Sequence, residues 1–304
     1  MNILVTGATG FIGAALVSRL MEGGHHVAAL RRTRGHSAPV PSWNPDAKQV
    51  HLDPAVSFDA VIHLAGENIA QRWTPAAKAR IRGSRAGGTS VLCEALARLP
   101  RPPRTLICAS AVGFYGDRAD EVLDEQSGPG SGFLAETCCA WEAAADSVRQ
   151  NGTRVVCLRL GMVLSPNGGA VAGMLPIFRL GLGGRVGSGR QYWSWIALED
   201  LLGVVELALL HDRLNGAVNA VAPESATNSR FAASLARALR RPALLPVPAF
   251  LIKAIFGDMG REVLLASARV RPARLSEAGF KFRWPDIDAA FSHLLGADRH
   301  SQPK

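Results

Sequence analysis

The chain has 304 residues, of which 48% are hydrophobic and 19% are charged, as in an ordinary globular protein with a large core. Its apolar runs are too short to span a bilayer, and its five cysteines form neither a CxxC pair nor a cysteine–histidine spacing suited to zinc, so we expect a cytoplasmic, reduced protein without a membrane or metal partner. The net charge of +9 comes from scattered arginines with no long basic run, which argues against nucleic-acid binding.

The chain begins with an apolar run, Ile3 to Val5, a glycine-rich turn, and a helix predicted over Phe11 to Leu20. In a dinucleotide site the first glycine of such a turn allows the tight bend, here Gly7. The second, Gly10, lets the backbone approach a pyrophosphate, and the third, Gly13, lets helix and strand pack closely. The N–H groups at the start of the helix then face an anion. The predicted cofactor contacts in this unit are Gly7, Thr9, Gly10, Phe11, Ile12 and Gly13.

The end of the second predicted strand, His26 to Leu30, indicates which dinucleotide is bound. An NAD site usually places Asp or Glu there, but the chain has neither between Glu22 and Asp46. It carries Arg31, Arg32 and Arg34 instead, and guanidinium groups suit a 2′-phosphate. A solvated basic loop suits Arg34 better than it suits the two arginines at the strand end. The sequence therefore favours NADP over NAD as cofactor.

Strands and helices alternate through the first half of the chain. Strands are predicted over Asp59 to Leu64, Thr105 to Ser110 and Arg154 to Leu160, with helices over Pro75 to Leu99 and Phe133 to Val148. This alternation predicts a parallel sheet with helices on both faces.

The segment between the second predicted strand and Asp59 is irregular. It has only a weak strand candidate, Gln49 to Leu52, and the link from there to the next strand is too short for a helical crossover between parallel strands. We therefore expect the usual third strand–helix unit to be truncated.

After Ser165 the regular alternation of strands and helices ends, and a glycine-rich, loop-rich region is followed by further helices and a short strand. The predicted elements are a helix over Leu198 to Leu210, a strand over Ala217 to Val221, a helix over Phe231 to Leu239, and two or three short helices after Pro246. The predicted fold is α/β, a Rossmann-type doubly wound parallel sheet with a smaller C-terminal substrate lobe. We expect the sheet domain over 1–165, with 217–226 returning to it, and the substrate lobe over 166–304, including a helical segment over about 247–297.

Four motifs give the chain a family resemblance: Thr6 to Gly13, His63 to Gly66, Ser110 to Gly116, and the tail Arg269 to Leu275 with its following Ala-Gly-Phe. With them the chain resembles the extended short-chain dehydrogenase/reductases of the NAD(P) sugar-epimerase type. Within these it resembles an atypical epimerase-like subgroup of uncertain substrate with a short C-terminal domain of unknown function. The resemblance implies a small-molecule substrate, a monomer or homodimer, and further cofactor contacts at Leu64, Ala65, Gly66, Arg85 and Val163.

The standard catalytic pair of this superfamily is missing. The family uses a Tyr as acid/base, a Lys four residues later and an assisting Ser. Neither Tyr115 nor Tyr192 is followed by such a Lys, because the chain has no Lys between Lys78 and Lys253. In the corresponding helix, Leu134 takes the place of the Tyr and Cys138 that of the Lys.

Three explanations of the missing pair stay open. In the first, other groups supply the acid/base chemistry, with Tyr115 and the Ser110 of the same motif as first candidates and Glu67 and Cys138 as second choices. In the second, hydride transfer needs little help from the protein, and in the third the protein binds NADP(H) without turnover, as a sensor. Packing roles compete for the same residues, since Tyr115 can simply pack against the cofactor and buried thiols are usually inert. We predict an NADP-dependent epimerase-like oxidoreductase, with a non-catalytic NADP(H)-binding protein as the alternative.

Overall fold

A computed structural model describes residues 1–33 and 41–296. In chain order its strands are β1 (Asn2–Thr6), β2 (His26–Arg32), β3 (Ser42–Asn44), β4 (Gln49–His51), β5 (Ala60–His63), β6 (Thr105–Ala111), β7 (Val122–Leu123), β8 (Arg154–Leu160), β9 (Met162–Leu164), β10 (Tyr192–Trp193), β11 (Trp195–Ala197), β12 (Gly216–Ala220), β13 (Ala226–Thr227) and β14 (Arg269–Val270). Its α-helices are α1 (Phe11–Glu22), α2 (Pro75–Arg82), α3 (Gly88–Ala97), α4 (Phe133–Asp146), α5 (Gly169–Arg179), α6 (Leu198–Leu210), α7 (Asn228–Leu239), α8 (Ala249–Phe256), α9 (Ala273–Glu277) and α10 (Ile287–Gly296).

The main sheet has eight strands in the order β12-β8-β6-β5-β1-β2-β3-β4. All neighbours from β12 to β3 are parallel. The strand order runs in opposite directions from β1, through β2 on one side and through β5 on the other. In such a sheet ligands bind at the carboxyl ends of the strands, where the order reverses. The predicted doubly wound Rossmann-type fold is therefore confirmed.

The edge beyond β2 is a hairpin instead of a helix-linked strand. Strand β3 pairs parallel with β2, and β4 then turns back antiparallel to β3 with Ser42 opposite His51. An antiparallel return needs only a short loop, which explains why no helix lies between Gln49 and the next strand. The expected truncation of this unit is confirmed.

Successive apolar side chains of β1 point to opposite faces of the sheet, and helices bury both faces. Ile3 and Val5 pack on the face covered by α1 and α6, while Leu4 packs on the opposite face, covered by α3 and α4. A third buried cluster lies in the second half of the chain, around Trp195 and Phe231. Among the residues that the structure describes, no helix is both long enough and apolar enough to cross a membrane.

The long helix predicted over Pro75 to Leu99 is helical from Pro75 to Ala97, two residues short of the predicted end, and it is not uniform. Its middle, Gly83–Gly87, forms a π-helical turn between α2 and α3. Glycine is a poor α-helix former, and three of the six residues from Gly83 to Gly88 are glycine. Single π-turns inside α-helices occur frequently at functional sites, and this one carries Arg85.

Candidate functional site

The turn between β1 and α1 requires two of its three glycines for steric reasons. Gly7 has a φ of +69°, and a β-carbon there would lie 2.9 Å from the backbone of Leu64 and Ala65. A β-carbon at Gly13 would lie 2.0 Å from the carbonyl oxygen of Gly7. Gly10 differs, since a β-carbon there would approach only that same oxygen, at 3.3 Å. Beyond that contact, Gly10 faces open space at the carboxyl end of β1, the place that a pyrophosphate needs.

The other predicted contacts of this unit divide into two groups. Thr9 is exposed at the turn, and the backbone N–H of Ala65 donates to the Thr6 hydroxyl at 3.2 Å, which brings the predicted Leu64–Gly66 segment beside the glycine turn. The side chains of Phe11, Ile12 and Val163 pack against protein instead. The Phe11 ring faces Gly168, where a β-carbon would come within 2.6 Å of it, and Ile12 and Val163 belong to the core on the α1 face.

Arg31 and Arg32 lie at the carboxyl end of β2, and both are exposed. Arg32 Nη2 forms an ion pair with Asp46 Oδ2 at 2.5 Å, with the two side chains 56% and 80% exposed. The hairpin of β3 and β4 thus returns an acid to a strand end at which the sequence shows only bases. Arg31 forms no ion pair with the described residues, and Arg34 lies outside them.

Arg85 lies at the carboxyl end of β5. Its Nη1 donates to the carbonyl oxygen of Glu67 at 2.9 Å and to that of Ile81 at 3.5 Å, and its guanidinium carbon is 5.1 Å from the centre of the Trp141 ring. A β-carbon at Gly66 would lie 3.4 Å from the guanidinium carbon. Burial lowers the pKa of Arg85. The half-buried guanidinium therefore lies directly behind the predicted cofactor loop.

Tyr115 is fully buried, in the short 3₁₀ turn that follows β6. Its hydroxyl accepts a hydrogen bond from Arg159 Nη1 at 3.0 Å. It donates its single proton towards two acceptors, Asn219 Oδ1 at 2.7 Å and the carbonyl oxygen of Asp124 at 2.9 Å. Burial raises the pKa of Tyr115. A phenol with its donor and acceptor used internally has no free contact for a substrate, so this geometry argues against the predicted acid/base role.

Ser110 belongs to a buried network that sequence reasoning missed. Its hydroxyl donates to Glu142 Oε1 at 2.6 Å, and Arg159 donates to both carboxylate oxygens of Glu142 at 2.9 Å. The side chains of Arg159 and Glu142 are 6% and 15% exposed. Burial opposes the charge of Arg159, but the bonds to Glu142 outweigh it and raise the pKa of Arg159. Ser110 is thus held by a buried ion pair of α4 and β8, which only the fold brings together.

Cys138 lies on the buried side of α4, with 2% of its surface exposed. Burial raises the pKa of this thiol to about 12, and the nearby charge of Glu142 acts in the same direction. A thiol with this pKa stays protonated near neutral pH, whereas the thiolate is the reactive form. The geometry therefore argues against the predicted catalytic role of Cys138. The second-choice Glu67 is half-buried, and its Oε1 lies 3.5 Å from Nε of Arg80.

The C-terminal part of the chain covers the start of α4, where the family's Tyr would stand. Glu262 Oε2 accepts the backbone N–H of Leu134 at 3.0 Å, and a β-carbon at Gly132 would touch the same carboxylate at 3.0 Å. Lys78 Nζ pairs with Asp258 Oδ2 at 2.6 Å. An acid at a helix N-terminus is favourable for the helix dipole. No sequence pattern points to Glu262, because it reaches α4 from 128 positions further along the chain.

Together these features define a dinucleotide-binding α/β protein, in which a glycine turn, a strand-end arginine pair and a half-buried arginine share the carboxyl edge of a parallel sheet. Among the described residues no group of three His, Cys, Asp or Glu could hold a metal ion. The chain belongs to the NAD dependent epimerase/dehydratase family, whose model matches residues 3–220. Residues 247–294 match a domain of unknown function, DUF1731. The resemblance inferred from the sequence motifs is confirmed.

Relatives of similar length align with almost the whole chain. The epimerase family protein MT2273 of Mycobacterium tuberculosis is 41% identical over 292 residues, which are 96% of each chain. The human epimerase family protein SDR39U1 is 37% identical over 299 residues, which are 97% of this chain and all of the relative. The crystal structure of human SDR39U1 (isoform 2) with NADPH has a TM-score of 0.89 and 36% identity, and the match covers 97% of this chain and 99% of that one.

Proposed function

We propose that this protein is an NADP(H)-dependent, epimerase-like oxidoreductase that acts on a small molecule, either a carbonyl compound or a nucleotide sugar. The observation that carries the proposal is the open space at Gly10 beside the exposed arginines at the end of β2. The first suits a pyrophosphate, and the second suits a 2′-phosphate. The NADPH in the human SDR39U1 crystal structure supports the same cofactor here.

Distinct residues would hold each part of the cofactor. The backbone of the Gly7–Gly13 turn would bind the pyrophosphate with the N–H groups that begin α1, and Arg31 and Arg32 would bind the 2′-phosphate. The Leu64–Gly66 segment and Arg85 would flank the other half. NADPH supplies a hydride when bound. Folds of this kind bind such ligands at the carboxyl ends of the parallel strands.

A second function, NADP(H) binding without turnover, is favoured by a specific observation. Tyr115 and Cys138, two groups expected to move a proton, are buried; the phenol is hydrogen-bonded to groups of the protein, and burial raises the pKa of the thiol. Catalysis would then depend on a group at the cleft such as Glu67, or on a substrate that needs little proton transfer. A protein that only senses NADP(H) needs neither a proton-transferring group nor such a substrate.

Binding and turnover experiments separate these functions. The NADP(H) proposal expects tighter binding of NADPH than of NADH by fluorescence titration. It also expects loss of binding in Gly10→Val with unchanged circular dichroism, because a side chain there fills the pyrophosphate space. Equal affinity for NADPH and NADH would overturn the assignment of Arg31 and Arg32. A panel of carbonyl compounds and nucleotide sugars, followed by nicotinamide absorbance, then tests for oxidoreductase activity. NADPH binding without turnover of any compound would favour the sensor.

We also propose a cytoplasmic monomer or homodimer, divided into a cofactor domain over 1–165 and a substrate lobe from residue 166 on. All five cysteines are free in the structure, as expected in a reducing compartment. Gly216–Ala220 lies in the main sheet beside β8, which supports the return of this segment to the cofactor domain. Light scattering at several protein concentrations would distinguish the two oligomeric states.

A further inference from the structure

Exposed apolar side chains are concentrated in two segments of the second half of the chain. Of the 13 large apolar residues that are exposed in the described chain, eight lie within 177–182 and 244–255. The most exposed of them are Leu244 at 79%, Leu180 at 74% and Phe250 at 69%. Single exposed apolar residues are normal on a protein surface, but a group of this size marks a surface that binds something.

The two segments are neighbours in the fold, so their side chains share one surface. The backbone N–H of Val247 donates to the carbonyl oxygen of Arg185 at 2.8 Å, and the N–H of Gly187 donates to the carbonyl oxygen of Val247 at 2.8 Å. Helix α8 begins two residues after this pairing, at Ala249. We call this surface the apolar face, and it is formed by Leu180, Leu182, Leu244, Leu245, Phe250 and Ile255.

Helix α8 presents apolar side chains to solvent as well as to the core. Its exposed residues Phe250 and Ala254 are four positions apart, as are Leu251 and Ile255, so all four lie on one side of the helix. Ile252 lies on the other side and is buried. A surface helix of a globular protein usually turns polar residues to water, so the outward side of α8 is unusual.

Positive charge accompanies the apolar face, and negative charge is absent from the segments that form it. Neither 147–198 nor 225–257 contains an Asp or a Glu. These segments carry four exposed cations that form no ion pair with a described carboxylate: Arg185, Arg240, Arg241 and Lys253. The fold therefore gathers apolar side chains and unneutralised cations on one surface, although the arginines look scattered along the sequence.

We propose that the apolar face is a membrane-binding surface that docks on anionic phospholipids. Apolar side chains of an interfacial helix enter the boundary between headgroups and acyl chains, while Arg and Lys are attracted to negative headgroups. A second copy of the chain fits this surface less well. A two-fold contact through it would bring the same unpaired cations together, and like charges placed opposite each other oppose association.

The proposal goes beyond the proposed function, because it involves none of the residues assigned to the cofactor. It also differs from the expectation of no membrane partner, which followed from the short apolar runs of the sequence. Such runs exclude a spanning helix, whereas docking on a membrane surface needs only a short apolar side and nearby positive charge.

Vesicle flotation with the full chain tests the proposal. Vesicles of equal parts phosphatidylcholine and phosphatidylglycerol are compared with vesicles of phosphatidylcholine alone. The protein should bind the mixed vesicles, and less tightly at high salt, because screening weakens the attraction to their headgroups. Phe250→Ser should weaken this binding about tenfold to hundredfold, as expected when a large apolar side chain is removed from the contact. Leu210→Ser is the matched control, because Leu210 is 72% exposed but ends α6, outside the apolar face.

A second set of variants tests the charge. Arg240→Gln combined with Arg241→Gln should weaken binding to the mixed vesicles about thirtyfold, from the attraction of two basic side chains to an anionic surface. Arg101→Gln combined with Arg104→Gln removes the same charge at exposed positions outside this surface and should change binding little. All these side chains are exposed, so the variants should keep the circular dichroism of the wild type.

Equal binding to the two kinds of vesicle, binding to neither, or wild-type binding by Phe250→Ser would overturn the proposal. If Phe250→Ser fails to fold, Ile255→Ser carries the same test. A dimer in light scattering that Phe250→Ser converts to a monomer, without vesicle binding, would assign the apolar face to a second copy instead. NADPH affinity should be the same in every variant, so failure of the membrane proposal and failure of the proposed function are distinguishable.

Discussion

Replacing Tyr115 by Phe separates a structural from a catalytic role for the residue that sequence motifs favour most. The change removes one oxygen and keeps the ring, which packs edge-on against Phe114 with ring centres 5.3 Å apart. It also removes the group that joins Arg159 to Asn219 at 3.0 Å and 2.7 Å. The expected effect is therefore on stability.

The size of the effect follows from the two partners left behind. Arg159 Nη1 loses its acceptor and Asn219 Oδ1 loses its donor, both in a buried site. Each unsatisfied buried group costs about 1–3 kcal/mol, and Arg159 keeps its bonds to Glu142. We expect Tyr115→Phe to lower the free energy of unfolding by about 2–4 kcal/mol.

Urea unfolding followed by circular dichroism measures this loss, and fluorescence titration measures NADPH affinity in the folded variant. Tyr192→Phe is the matched control, because the structure shows no hydrogen bond from that hydroxyl to a described residue. It should change stability little, and both variants should bind NADPH like wild type. Unchanged stability of Tyr115→Phe together with a large loss of turnover would refute this reasoning and restore the catalytic assignment.

Two further predictions concern Asp46 and His63. Asp46→Asn frees Arg32 and removes an acid near the proposed 2′-phosphate site, so NADPH should bind about 1.5- to 5-fold more tightly while NADH affinity stays unchanged, as expected for an exposed ion pair worth about 0.2–1 kcal/mol. Asp53→Asn, at another exposed aspartate, controls for the change in net charge. Weaker NADPH binding by Asp46→Asn would contradict the prediction. Burial lowers the pKa of His63 to about 4 from its usual 6.5. As the pH falls, the unfolded chain takes up a proton at this histidine before the folded protein does. The free energy of unfolding is therefore unaffected by His63 above about pH 6.5 and decreases as the pH falls towards 4, by about 2 kcal/mol between pH 7 and pH 5. Urea unfolding at both pH values should show a smaller loss in His63→Gln than in wild type, and an equal loss would contradict the assignment.

Local patterns predicted the sheet and the glycine turn well, because their causes lie within a few residues. The apolar run before Gly7 and the spacing of Gly7, Gly10 and Gly13 specify a strand, a bend and a close helix contact almost without the rest of the chain. The predicted ends of α1 and β2 are less accurate, because helix fraying and pairing with a neighbouring strand determine where such elements end. Helix α1 runs two residues further than predicted, to Glu22, and β2 continues into its arginines.

The site's side chains were predicted less well because their partners are remote in sequence. The hydroxyl of Tyr115 is occupied by residues 44 and 104 positions away, so its burial cannot be inferred from the motif around it. Asp46 similarly reaches Arg32 only because a hairpin folds back. The sequence predicts which residue types reach the sheet edge, and tertiary pairing decides which of them stay free.

The contact between Glu262 and the start of α4 has a consequence for the order of biosynthesis. The strands of the main sheet are all complete by residue 220, but the carboxylate that holds the first turn of α4 comes more than forty residues later. A nascent chain can therefore assemble the sheet while this rim of the cleft is still unfinished, since domains fold as they emerge. Emergence of residues 258–270, which lets Asp258 meet Lys78 and β14 pair with β7, then completes this side of the cleft.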